Sequence, residues 1–148
     1  MIDVAKRVAE ANPYEVAFAD TIGVGVPSQV TEILTRAREA LPGVRLRAHF
    51  HNTRNTGLAN AYAAVVAGVS ALDSSAGGIG GCPFAPAATG NIPTEDLVYM
   101  LERMGVSTGI DLDKLLATGE WLQQTLGRNV PGMLLKAGGF PKPSAQAA

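Results

Sequence analysis

The chain is predicted to be an α/β protein. Three observations carry this: short apolar runs with strand character alternate with helically spaced segments, each run is followed by a Gly- or Asn-rich turn, and the unit recurs three times in 148 residues. Parallel neighbours need a crossover connection, and a helix supplies it. Three such units make only part of a (β/α)₈ barrel, which takes about 250 residues, or else a small open sheet.

Ile2, Val4, Ala5, Val8 and Ala9 recur at helical spacing before the breaker Asn12-Pro13. Tyr14 to Ala19 reads as a buried strand ending at Asp20 and the turn Gly23-Val24-Gly25. A helix follows through Val30, Ile33, Leu34, Ala37 and Leu41, with Ser28 as its expected N-cap and Pro42-Gly43 as its stop. The second unit has a strand from Val44 to His51 and a helix through Leu58, Ala61, Tyr62, Val65 and Val66 that ends near Gly68. A third strand, Val69 to Ser75, enters a long Gly/Pro loop. The next helix is expected to be capped by Thr94, with Glu95 and Asp96 placed favourably against its dipole. Asp111 is expected to cap a last amphipathic helix carrying Leu112, Leu115, Leu116, Leu122 and Leu126. The expected organisation is a partial barrel over residues 1–130 and a flexible tail over 131–148.

Composition narrows the function classes. Twelve basic and thirteen acidic residues are scattered and leave a net charge of −1, which gives no electrostatic footprint for nucleic acid. The hydrophobic content of 47% implies a packed core, and no apolar run reaches the ~18 to 20 residues of a membrane span. A lone cysteine, Cys82, rules out an intrachain disulfide and fits a reducing, cytoplasmic setting.

The chemistry gathers at the strand ends. His49 and His51, the only histidines, are two residues apart, so both imidazoles project from one face of their strand. A His-x-His at the carboxyl end of a strand can supply two neutral ligands to one divalent ion; the alternative is one structural and one incidental histidine. Arg45 and Arg47 share that parity, and a charged group on such a face needs a partner. Gly77, Gly78, Gly80 and Gly81 permit close backbone approach but lack the Gly-Lys-Ser/Thr of a phosphate loop. Cys82 follows them. A lone cysteine is most often a small buried hydrophobe, yet a thiol in a glycine-rich loop beside a metal site is placed for proton transfer or nucleophilic chemistry. Asn91 closes the loop, either as a turn asparagine or as a ligand. Asp20 ends its strand level with the histidines, to orient a ligand, to carry a proton or to tie down the turn from Thr21 to Gly25.

Asp20-Thr21-Ile22-Gly23-Val24-Gly25, His49-Phe50-His51-Asn52-Thr53, Ser75 to Phe84, Gly90-Asn91 and Thr94 to Leu101 together resemble the C-terminal motifs of the hydroxymethylglutaryl-CoA lyase family, in order and spacing. The likeness runs from about Asp3 to Leu126, and the cysteine loop is its most specific part. It implies the C-terminal portion of a TIM barrel that binds Mg²⁺ or Mn²⁺ and cleaves 3-hydroxy-3-methylglutaryl-CoA to acetoacetate and acetyl-CoA. By motif position His49, His51 and Asn91 would be metal ligands, Cys82 would deliver a proton from a mobile loop, and Asp20 would lie near substrate. His51 or Asp20 would take the hydroxyl proton. An acyl-CoA partner and a homo-oligomeric full-length form are implied as well.

The departures are specific. The family usually has Asp after the second histidine and Tyr-Gly two residues on, whereas Asn52 and Arg54-Asn55 stand here, and Phe84 replaces a usual Tyr. The Arg-Asp pair of the family's first strand is absent, so an N-terminally truncated form is expected. The alternatives are a related lyase of citramalyl-CoA type and an inactive fragment.

Overall fold

The computed structural model describes residues 1–82 and 85–139, which fall into two compact units: residues 1–74 with 80–92, and residues 75–79 with those from 93 on. No described helix is long and apolar enough to cross a membrane.

In the first unit the chain runs α1 (Ile2–Ala9), β1 (Glu15–Asp20), α2 (Pro27–Ala40), β2 (Arg45–Phe50), α3 (Gly57–Val66) and β3 (Ala71–Asp73), followed by β4 (Gly81–Cys82) and β5 (Ala85–Thr89). β1, β2 and β3 are parallel in that order, with Ala19 paired to His49 and His49 to Asp73. The expected βαβ alternation is present. Strand alternation then divides the side chains. Val16, Leu46, Ala48 and Phe50 are buried on the helix side, where Val30, Leu34 and Ala37 of α2 and Ala61 and Ala64 of α3 are also buried. Each fully buried Leu or Phe contributes roughly 1.5–3 kcal/mol, so this layer holds β2 firmly in place. Glu15, Arg45, Arg47 and His49 have the opposite parity and lie partly open to solvent.

Several local expectations shift. Ser28 is not the cap of α2: Val26 is, because Pro27 at the first helical position fixes the entry and Gln29 Oε1 accepts the Val26 N–H at 3.2 Å. The third strand is shorter than expected, Ala71–Asp73. The Gly/Pro loop contains a single 3₁₀ turn (Ala76–Gly78) and the antiparallel pair β4–β5.

The second unit carries that 3₁₀ turn, α4 (Thr94–Arg103), α5 (Leu112–Leu126) and α6 (Leu134–Ala137). Leu97, Val98, Leu101, Val130 and Leu134 form its core. Asp111 does cap α5, accepting the Lys114 N–H at 3.1 Å. Thr94 is the first residue of α4 and Pro93 its cap; the Thr94 N–H goes to the Ser75 carbonyl at 2.9 Å. Glu95 and Asp96 are spent on other segments rather than on the helix end alone. Glu95 is fully buried and accepts the Gly77 N–H at 2.9 Å. Asp96 accepts the N–H groups of Met133 (3.0 Å) and Leu134 (2.8 Å). The segment expected to be a flexible tail from Pro131 therefore has, over its first nine residues, a short helix, a buried Leu134 and two anchored amides. Residues 140–148 lie outside the described residues.

Burial pushes the Glu95 carboxyl up from its ordinary value, against the opposing pull of its backbone hydrogen bonds. The folded state then holds this proton at a pH where the unfolded chain has lost it. Its contribution is fully present below the ordinary glutamate value of about 4.3–4.5 and is lost as pH rises through the folded value. Urea midpoints measured from pH 4 to 8 should show wild type losing stability relative to Glu95→Gln across that window. Parallel profiles would contradict the assignment.

Candidate active site

The carboxyl end of β2 is built by backbone pairing on two sides. The His51 N–H donates to the Asp20 carbonyl at 3.4 Å, which ties it to the end of β1. On its other side, residues 90–92 run antiparallel to residues 50–52: the Asn52 N–H reaches the Gly90 carbonyl at 3.1 Å and the Ile92 N–H the Phe50 carbonyl at 3.3 Å. His51 and Asn91 thus stand opposite each other in an isolated antiparallel bridge. Gly80, at φ +104°, makes room for this: a Cβ there would lie 2.8 Å from Asn91 Nδ2.

The two imidazoles are neighbours, their ring centroids 5.1 Å apart and their planes at 65°. His51 is only 4% exposed, and its Nδ1 is buried with no hydrogen-bond partner among the described residues. Burial first, and the neighbouring His49 second, hold the His51 imidazole below its ordinary pKa, while the Asp20 charge pulls the other way. A neutral ring with a free lone pair is the form that ligates a metal.

Asp20 ends β1 and folds back on its own turn, accepting the Val24 N–H (3.0 Å) on Oδ1 and the Gly25 N–H (2.9 Å) on Oδ2. Of the roles open to it, tying down the turn is visible, and the same bonds fix where the carboxylate points. Two residues reinforce the turn, one of them, Asn60, unmarked in the sequence. Fully buried Asn60 donates from Nδ2 to the Gly25 carbonyl at 2.9 Å, and Arg54 Nη1 reaches the carbonyls of Ile22 (3.0 Å) and Gly23 (3.1 Å). Asn52 accepts the Gly57 N–H on Oδ1 (3.0 Å) at the start of α3 and donates from Nδ2 to Asn55 Oδ1 (3.2 Å). An aspartate at 52 could make only the first of these bonds.

Arg47 has the partner its parity demands, in fact two: Nε pairs with Glu15 Oε1 at 2.6 Å, and Nη1 pairs with Asp73 Oδ1. Together they hold the guanidinium far above its ordinary value. Arg45 lies instead over the Tyr14 ring, 5.1 Å from its centroid. Asp73 Oδ2 stands 3.9 Å from His49 Nδ1. Asp73 had one signal in the sequence, its place at the end of the third strand, but only the register sets it across from His49.

Cys82 is placed by its backbone in β4, paired with Ala85; its thiol, with Pro83 and Phe84, lies outside what is described. Among the described residues no three His, Cys, Asp or Glu side chains converge to hold a metal. The local donor set is two imidazoles with Asn91 beside them, and the orphaned Nδ1 of buried His51 fits a ligand role.

A parallel βα sheet with histidines, an asparagine and a fixed carboxylate at its carboxyl end is the arrangement of α/β proteins that hold their chemistry on that rim. Residues 1–122 match the HMGL-like family model, and the chain belongs to that family. It is 47% identical over 135 residues to the (R)-citramalyl-CoA lyase of Chloroflexus aurantiacus, covering 91% of this chain and 43% of that protein. With a hydroxymethylglutaryl-CoA lyase of Bacillus subtilis it shares 40% identity over 136 residues, 92% of this chain and 46% of the relative. An HMG-CoA lyase from Acinetobacter baumannii, solved with coenzyme A and 3-methylmalate, superposes with a TM-score of 0.88 at 41% identity, over 95% of this chain and 48% of that one. The fold is accordingly part of the TIM barrel of these lyases, and the chain spans under half the length of the curated relatives it matches.

Proposed function

We propose that this chain supplies the metal-holding part of a carbon–carbon lyase that cleaves a 3-hydroxyacyl-CoA thioester, with 3-hydroxy-3-methylglutaryl-CoA as its first candidate substrate. The observation that carries the reading is the meeting of His49, His51 and Asn91 at one strand end, with buried His51 Nδ1 left without a protein partner. His49, His51 and Asn91 would hold a divalent ion such as Mg²⁺ or Mn²⁺, whose chemistry is to acidify the 3-hydroxyl and stabilise charge on oxygen. Such hard ions take six or more ligands, so oxygens from substrate, solvent or protein outside this triad belong to the site too.

Asp20 is the better of the two candidates for the base. His51 is buried and assigned to the metal, whereas the Asp20 carboxylate is aimed by two amide bonds and keeps lone pairs to accept the hydroxyl proton. Loss of that proton lets the C2–C3 bond break: its electrons pass to the acetyl-CoA fragment as an enolate, and C3 becomes the carbonyl of the other product. Cys82, in the loop after β3, is assigned the acid that protonates the enolate carbon.

A second reading, cleavage of a citramalyl thioester, is favoured by the 47% identity to the Chloroflexus enzyme and by Asn52 and Arg54, which bond as described where the family usually carries other residues. The test incubates the complete gene product and Mg²⁺ with each thioester and follows product formation. Acetoacetate from the methylglutaryl thioester supports the first reading; pyruvate from the citramalyl thioester alone supports the second. Cleavage of neither sinks both.

A further inference from the structure

The geometry points to Asp73 as a positioning residue for His49: it holds the His49 ring so that Nδ1 carries the proton and Nε2 is left as the ligating nitrogen. The inference rests on the metal reading above and goes beyond it, because Asp73 is neither a ligand nor a residue that touches substrate.

Three features of the sheet support it. Asp73 is the register partner of His49 on the neighbouring parallel strand, so both side chains leave the same face side by side. Its Oδ2 faces His49 Nδ1 at 3.9 Å, an ion-pair distance that a small rotation of either side chain turns into a hydrogen bond. Its Oδ1 is engaged by Arg47 Nη1, and Arg47 is in turn pinned through Nε to Glu15 Oε1 at 2.6 Å. The carboxylate is therefore not free to swing away, and the oxygen that Arg47 leaves over is the one beside the histidine. A histidine ligand is usually oriented by a carboxylate or carbonyl on its other ring nitrogen, which selects the tautomer and raises the basicity of the ligating one; losing that partner typically weakens metal binding about 10–100-fold. His51 has no such partner on Nδ1. The two histidines are thus inequivalent, and among the described residues only His49 has a built orienting group.

The chain has only two histidines, so the test is direct. The ¹⁵N shifts of the ring nitrogens are recorded on the 148-residue chain at about pH 8, where an ordinary imidazole is neutral, in wild type, Asp73→Ala and the equal-volume Asp73→Asn. The Asn variant serves if Ala does not fold, as judged by the amide spectrum. Wild-type His49 is expected as the Nδ1–H tautomer, and both variants should move it toward Nε2–H while His51 is unchanged. Mn²⁺ affinity, titrated on the same samples, should fall about tenfold or more in Asp73→Ala. A His49 tautomer unchanged in both variants overturns the inference even if Mn²⁺ binds normally. A tautomer change in a chain that binds no Mn²⁺ upholds the positioning role and sinks the metal reading.

Discussion

Replacing His51 by alanine is expected to cost this chain about 100-fold or more in Mn²⁺ affinity, some 2.8 kcal/mol or above at 1.4 kcal/mol per factor of ten. The ring is 4% exposed, with its backbone fixed on one side by Asp20 and on the other by residues 90–92. Its pKa is depressed by burial and by His49, so no proton need leave before a cation binds near neutral pH. The same variant should barely change folding stability. A buried nitrogen without a partner stabilises nothing by itself, and its removal relieves a desolvation cost of about 1–3 kcal/mol that offsets the lost packing. Isothermal titration with Mn²⁺ and urea unfolding of His51→Ala separate the two effects. Equal losses in both would mark His51 as a structural histidine.

Phe50→Ala is the converse case, with its large effect on stability. Phe50 lies between the two histidines in sequence but points to the opposite side of β2, where it is 4% exposed beside Leu46 and Ala48. Truncating a buried phenylalanine costs about 3–5 kcal/mol in lost transfer energy and cavity formation. Here the lower end applies, since Phe50 already borders, with Phe18, Val30 and Leu34, an apolar cavity of about 410 Å³ into which neighbours can relax. The expected loss of about 3 kcal/mol would be read from the urea midpoint. Mn²⁺ affinity should fall as well, though far less than in His51→Ala, because the Phe50 carbonyl still accepts the Ile92 N–H that brings Asn91 alongside. A fall in metal affinity with unaltered stability would place Phe50 in the site and contradict its assignment to the core.

What was legible in the sequence was whatever is written in local periodicity. The shared parity of His49 and His51, the alternation that buries Leu46, Ala48 and Phe50, and the cap at Asp111 depend on neighbours within a few residues. Caps beside prolines were displaced: Pro27 and Pro93 set the helix entries themselves, so Ser28 and Thr94 fall inside their helices. The β4–β5 pair was illegible because Gly, Pro and Ala dominate it and show no alternation. The partners of Arg47 were illegible for another reason. Glu15 and Asp73 lie 32 and 26 residues away, and only the parallel register brings them to it. The same holds for Asn60, whose place within α3 gives no hint that its amide holds the Gly25 carbonyl 35 residues back. The family motifs suggested the candidate site residues where position in the chain did not, and the structure adds the hydrogen-bond network around them.

The central claim is that His49, His51 and Asn91 of this chain hold one divalent ion. It is tested most directly by titrating Mn²⁺ into the ¹⁵N-labelled chain and following the paramagnetic broadening of side-chain resonances. The account predicts that the ring nitrogens of both histidines and the Asn91 side-chain amide broaden together, saturating at one ion per chain. Broadening that spares the histidines, or reaches one of them without Asn91, would contradict it.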